Sequence, residues 1–133
     1  MKGLLKYYIK ESSANFSEDY KYRYCLSRFF HPDTLSVMMS ETAIIPKGEL
    51  VFLMLNPSTA TEHTDDPTVS KCTLIAHREG YSGVHILNCF SFRSTDPKKM
   101  YREKYPVGPD NDSFILHTIG NRDVVCLGQS RPI

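Results

Sequence analysis

The sequence predicts an α/β domain, a three-layer sandwich around a central, mainly parallel sheet, on three observations. Leu50 to Leu55 is an unbroken aliphatic and aromatic run of strand length, as expected of a strand covered on both faces. Gly83 to Asn88 is a second such run, separated from the first by a segment of helical period. Val124 to Leu127 is a third. Apolar strands alternating with helices imply crossover connections, and crossovers imply parallel pairing. The 133 residues are read as one domain, 1–133, with N-terminal strands in 1–30 and a core in 48–128.

At the N-terminus, Leu4 to Ile9 and Lys21 to Phe30 are rich in tyrosine, phenylalanine and leucine and read as two antiparallel strands, with Ser12, Ser13 and Asn15 between them as turn formers. The stretch from His31 to Gly48 holds Pro32, Pro46 and Gly48 without a clear period and reads as an irregular crossing. After the first apolar run comes the loop from Asn56 to Asp65, then Asp66-Pro67-Thr68. Aspartate caps a helix well, and proline suits its first turn because that N–H has no intrahelical partner. The spacing of Val69, Cys72 and Ala76 carries this helix to about Glu79, with Gly80 closing it. Asp96-Pro97 repeats the signal for a short helix to about Tyr105. Asp110 opens another, with Phe114, Ile115 and Ile119 on one side and Gly120 at its end.

Composition narrows the function. A hydrophobic fraction of 41% and a charged fraction of 23% fit an ordinary globular chain rather than a disordered or membrane-spanning one. Met1-Lys2-Gly3-Leu4-Leu5-Lys6 lacks an apolar h-region with a small-residue cleavage site, so the expected location is cytoplasmic. A net charge of +1 gives no large positive field for nucleic acid. A local basic stretch, Arg93, Lys98, Lys99, Arg102 and Lys104, reads either as a solvated helix face or as a phosphate-binding strip. Cys25, Cys72, Cys89 and Cys126 are scattered in apolar settings and read as buried thiols, and the five histidines form no ligand motif. No metal or cofactor is expected.

The candidate site follows from topology. In open parallel α/β sheets, ligands bind beyond the carboxyl ends of the strands. Asn56 and Asn88 lie at two such ends. A side-chain amide presents donor and acceptor together, which suits the edge of a nucleobase; the alternative is an amide that only satisfies local backbone. Pro57, Ser58 and Thr59 form a small, hydroxyl-rich loop able to approach a phosphate or sugar, and Arg93 is a candidate ligand cation. Water activation needs a carboxylate, and Asp65 is the freer candidate because Asp66 is committed as a cap; Asp66 is counted instead with Asn88, Pro57, Ser58, Thr59 and Arg93 as a candidate ligand-binding residue.

Several strings also carry a resemblance: Phe52 to Ala60, Asp65-Asp66-Pro67-Thr68, Gly80 to Gly83 leading to Asn88, Asp96-Pro97, Pro106-Val107-Gly108 with Asn111-Asp112, and upstream Tyr22 to Arg28. Together they resemble a prokaryotic and phage domain family of unknown function over about residues 20 to 128. Met54-Leu55-Asn56-Pro57, Gly83 to Asn88 and Val125 to Gly128 are more distantly similar to strand ends of the uracil-DNA glycosylase superfamily. That resemblance implies that Asn56 positions a water and Asn88 reads a flipped base. It also implies a later histidine and proline motif, which this sequence lacks, so the expected fold is a glycosylase-like one incomplete at its C-terminus. Three functions stay open: binding of a nucleobase, nucleotide or nucleic acid, which ranks first; N-glycosidic hydrolysis by Asn56 and Asp65; and an interaction or remnant protein. A last strand near the end of the sequence also suggests self-association through its edge.

Overall fold

The computed structural model describes residues 6–32 and 47–127. Five strands form one mixed sheet: β1 (Ile9–Phe16), β2 (Arg23–Phe30), β3 (Glu49–Met54), β4 (Gly83–Asn88) and β5 (Asp123–Cys126), in the order β1-β2-β4-β3-β5. The three apolar runs pair in parallel, β4 with β3 and β3 with β5. On the other side of β4 the pairing is antiparallel, β4 with β2 and β2 with β1. The sheet is therefore half parallel rather than mainly so, because the N-terminal hairpin joins the same sheet beside β4.

Among the described residues there are three α-helices: α1 (Pro67–Arg78), α2 (Pro97–Arg102) and α3 (Asn111–Ile119). Asp66 caps α1 by accepting from the Val69 N–H, and Gly80 takes the left-handed conformation expected of it, at φ 86°. Val69, Cys72 and Ala76 of α1 pack on Leu26, Phe30, Leu50, Phe52, Val84 and Ile86 of the sheet. Phe114, Ile115 and Ile119 of α3 pack against Cys25, Val51 and Leu87 on the opposite face. These are the layers of a sandwich. Among the described residues, no helix is long and apolar enough to cross a membrane.

Three expectations need correction. The first strand is β1, so Ser12, Ser13 and Asn15 lie inside it, while Lys6–Tyr8 form a 3-10 turn. An edge strand has to bury only part of its surface, here chiefly Ile9 and Ala14, so its polar residues are tolerated. The turn falls later, where Tyr20 adopts φ 59° and Ser17 donates to Asp19. Secondly, only Cys25 and Cys72 are buried; Cys89, just past the end of β4, and Cys126, on edge strand β5, are exposed. Thirdly, the Asp96 helix stops at Arg102, before Tyr105. The irregular crossing falls mostly in 33–46, outside the described residues.

Strand β2 is buried along nearly its whole length although it carries two arginines. Arg28 is 2% exposed, and its guanidinium donates to the carbonyls of Thr61 and Thr64 and to Asp65 Oδ1 at 2.8 Å. The loop after β3 is thereby tied to the sheet. Asp65→Asn should lower the unfolding free energy by about 3 kcal/mol, because it leaves the buried Arg28 guanidinium without its counter-charge, and Arg28→Met should cost about 1 to 3 kcal/mol, because the Thr61 and Thr64 carbonyls lose their buried donor while the part-exposed Asp65 is left to solvent. Urea denaturation of both variants measures these losses.

Candidate functional site

Parallel pairing sets Met54 opposite Asn88, so the chain beyond β3 and the end of β4 meet at one edge of the sheet. A cavity of about 150 Å³ lies there. Its walls come from Met54 to Ser58 after β3, from Ile86 and Asn88 of β4, from Asp66, Thr68 and Val69 at the start of α1, and from Arg23 of β2.

Four polar side chains of this wall, Asn56, Asn88, Asp66 and Arg23, are partly committed. Asn56 donates through Nδ2 to the carbonyls of Pro57 (3.1 Å) and Ser94 (2.9 Å), which leaves its Oδ1 as the available acceptor. Asn88, 2% exposed, turns its Oδ1 toward Arg23, and its Nδ2 has no hydrogen-bond partner among the described residues. Behind it, the buried Asn111 of α3 donates to the carbonyls of Asn88 (2.8 Å) and Cys89 (3.1 Å), holding the end of β4. Both Asp66 oxygens accept backbone N–H groups, from Val69 and Ala60.

Arg23 is the group the sequence did not single out. Strict alternation would place it with Cys25 and Ser27, on the α3 side of the sheet. The β1–β2 register shifts between Asn15 and Phe16, whose partners are Cys25 and Arg23, so Tyr24 is the extra residue of a bulge. Tyr24 stacks on Phe114 at 5.1 Å and Cys25 packs in the α3 cluster, so two consecutive residues face α3. Arg23 is returned to the α1 side, where it donates to the Ala60 carbonyl at 3.1 Å and, at a long 3.5 Å, to Asn88 Oδ1. Its Nε has no partner among the described residues. Burial pulls its pKa down to about 10, against a favourable contribution from the Asp66 charge and unfavourable ones from Arg93 and Arg28.

Of the residues chosen from sequence, Asn56, Asn88, Pro57, Ser58 and Asp66 line this cavity. Thr59 is exposed and stands apart from it. Asp65 is held by Arg28 and accepts from Ser70 at 3.4 Å, while Arg93 donates to the Tyr20 carbonyl and lies 4.7 Å over the Phe16 ring. Lys98, Lys99, Arg102 and Lys104 are exposed.

The family model described as "Protein of unknown function (DUF1643)" matches residues 23–130. The chain belongs to this family. No curated protein and no solved structure matches it. The DUF1643 match takes in every cavity-lining residue, Arg23 at its first position included.

A second polar chain crosses the α3 side of this DUF1643 domain. Ser27 Oγ lies 2.6 Å from His85 Nδ1, and His85 Nε2 lies 2.5 Å from Glu49 Oε1, which Arg122 also contacts at 3.0 Å. The order imitates a hydroxyl, imidazole, carboxylate triad, but Ser27 and His85 are buried, at 4% and 8% exposure, in mid-sheet. We read it as structural. Burial alone would raise the Glu49 pKa; the hydrogen bond and charge of His85 with the charge of Arg122 outweigh it, leaving it below the ordinary 4.5. A depressed carboxylate contributes stability above its unfolded value and loses it as pH falls through the folded value. Glu49→Gln should therefore destabilise the protein at pH 7 and match wild type more closely near pH 3, as thermal melts across that range would record.

Proposed function

We propose that this domain binds a nucleobase or nucleotide in the cavity at the ends of β3 and β4, as a binding module rather than a hydrolase. The observation that supports this reading is the pair of half-committed amides. Asn56 offers an acceptor and Asn88 a donor toward one small cavity. A planar ligand edge bearing a donor beside an acceptor, as nucleobases do, satisfies both. The strand-end asparagines are those that resemble the uracil-DNA glycosylases, and they keep the same order here.

Hydrolysis ranks second for want of a free base among the described residues. Water activation needs a carboxylate with an available lone pair near the reacting carbon. Asp65 is paired with Arg28, and Asp66 is spent on capping α1 and on the Ala60 N–H. Asn56 Oδ1 remains able to hold a water, a feature that favours catalysis.

Calorimetric titration with nucleobases, nucleosides and nucleotides tests the reading. Asn88→Ala and Asn56→Ala should each weaken binding by about 1 to 2 kcal/mol, the scale of one hydrogen bond in a buried site. Unchanged affinity in a folded Asn88→Ala protein would refute it. Labelled DNA incubated with wild type should release no free base.

A further inference from the structure

The polar wall of the cavity is unbalanced in one respect. Arg23 is 2% exposed, yet among the described residues no carboxylate lies within ion-pairing distance of its guanidinium. Buried charges are ordinarily paired, because an isolated ion in a poorly polarisable interior loses far more hydration than one or two neutral contacts return. Arg23 has two such contacts, one of them long, and an unpartnered Nε. A guanidinium carries more donors than these contacts use.

The groups beside it have the same polarity. Asn88 presents its Nδ2 donor, and Thr68 and Val69 bring the first turn of α1, a twelve-residue helix whose N-terminus favours negative charge. The opposing charge is Asp66. Its carboxylate is turned to the backbone N–H groups of Val69 and Ala60, which disperse it.

We infer that the Arg23 end of the cavity is an oxyanion subsite that takes a phosphate or carboxylate group, with Arg23 and Asn88 as its donors. The inference rests on the ligand-binding reading above and narrows it: the ligand is a nucleotide or another small acid, not a neutral nucleobase. The oxyanion supplies the charge that Arg23 lacks, and the rest of the ligand extends toward Asn56.

Asn88→Asp is the decisive variant. It is nearly isosteric, and it sets a carboxylate where the anion would sit, so it should keep or raise the melting temperature while excluding the ligand. Titrations at constant ionic strength would use inorganic phosphate, malonate, uridine and adenosine, and their 5′-monophosphates, against wild type and Asn88→Asp. The expected result is that the monophosphates bind at least about tenfold more tightly than the nucleosides, by the strength of charge-assisted hydrogen bonds. Phosphate should compete with them, and Asn88→Asp should lose that binding while remaining folded. Competition by malonate with equal effect would assign the subsite to carboxylates, and its failure would assign it to phosphates. Nucleosides binding as tightly as monophosphates, with no competition from phosphate or malonate, would overturn the subsite and leave the ligand-binding reading standing. Phosphate binding without any nucleoside contribution would support the subsite and remove the nucleobase. Retained phosphate affinity in Asn88→Asp would overturn the inference outright.

Discussion

Two guanidinium groups carried under the sheet by β2 determine how the loop after β3 is held, and with it the shape of the cavity. Arg28 fastens the distal part of the loop through Thr61, Thr64 and Asp65, and Arg23 fastens its middle through Ala60. Both act mainly on backbone carbonyls. Loop carbonyls removed from water need donors, and a planar, permanently charged group can serve several at once from one buried stem. The small residues Ser58, Thr59 and Ala60 let the loop approach closely enough for this.

The two arginines are nevertheless in different electrostatic positions. Arg28 meets Asp65 directly, so its charge is compensated inside the fold. Arg23 has Asp66 only as a neighbour and Arg93 and Arg28 as like charges, and burial lowers its pKa. A protein that kept both groups only as loop fasteners would have equal reason to pair both. This unequal pairing is the contrast on which the proposed oxyanion subsite rests.

The same contrast applies to the asparagines. Asn111 is wholly buried and spends both donor bonds on the end of β4, and its Oδ1, without a partner among the described residues, is not part of the cavity lining, so its role is a supporting one. Asn56 and Asn88 each retain one unused function at the cavity wall. Gly108 reinforces the neighbouring support: at φ 86°, a Cβ there would lie 2.3 Å from Ser91 Oγ and 2.9 Å from the Tyr22 ring. Ser91 accepts the return of the chain beside Tyr22 by donating to the Val107 carbonyl and by receiving, at its own carbonyl, the Arg23 N–H. The backbone of Arg23 is thus positioned from the side opposite to its head group.

What the sequence by itself determined were the features governed by local rules. The apolar runs identified β3, β4 and β5, the Asp-Pro pairs identified two helix starts, and parallel pairing followed from the crossover, bringing Asn56 and Asn88 to one edge. Tertiary structure decided the rest. Edge position made a polar strand of residues read as turn formers, and the antiparallel β2–β4 pairing inserted the hairpin into the same sheet. The bulge at Tyr24 moved Arg23 to the other face, which no alternation rule reveals because its cause lies in the register with β1. The choice between Asp65 and Asp66 likewise turned on Arg28, a residue 37 positions away from Asp65 in the chain. Periodicity and capping are set by neighbours along the chain, whereas a side chain's remaining hydrogen-bonding capacity is set by whatever the fold places against it.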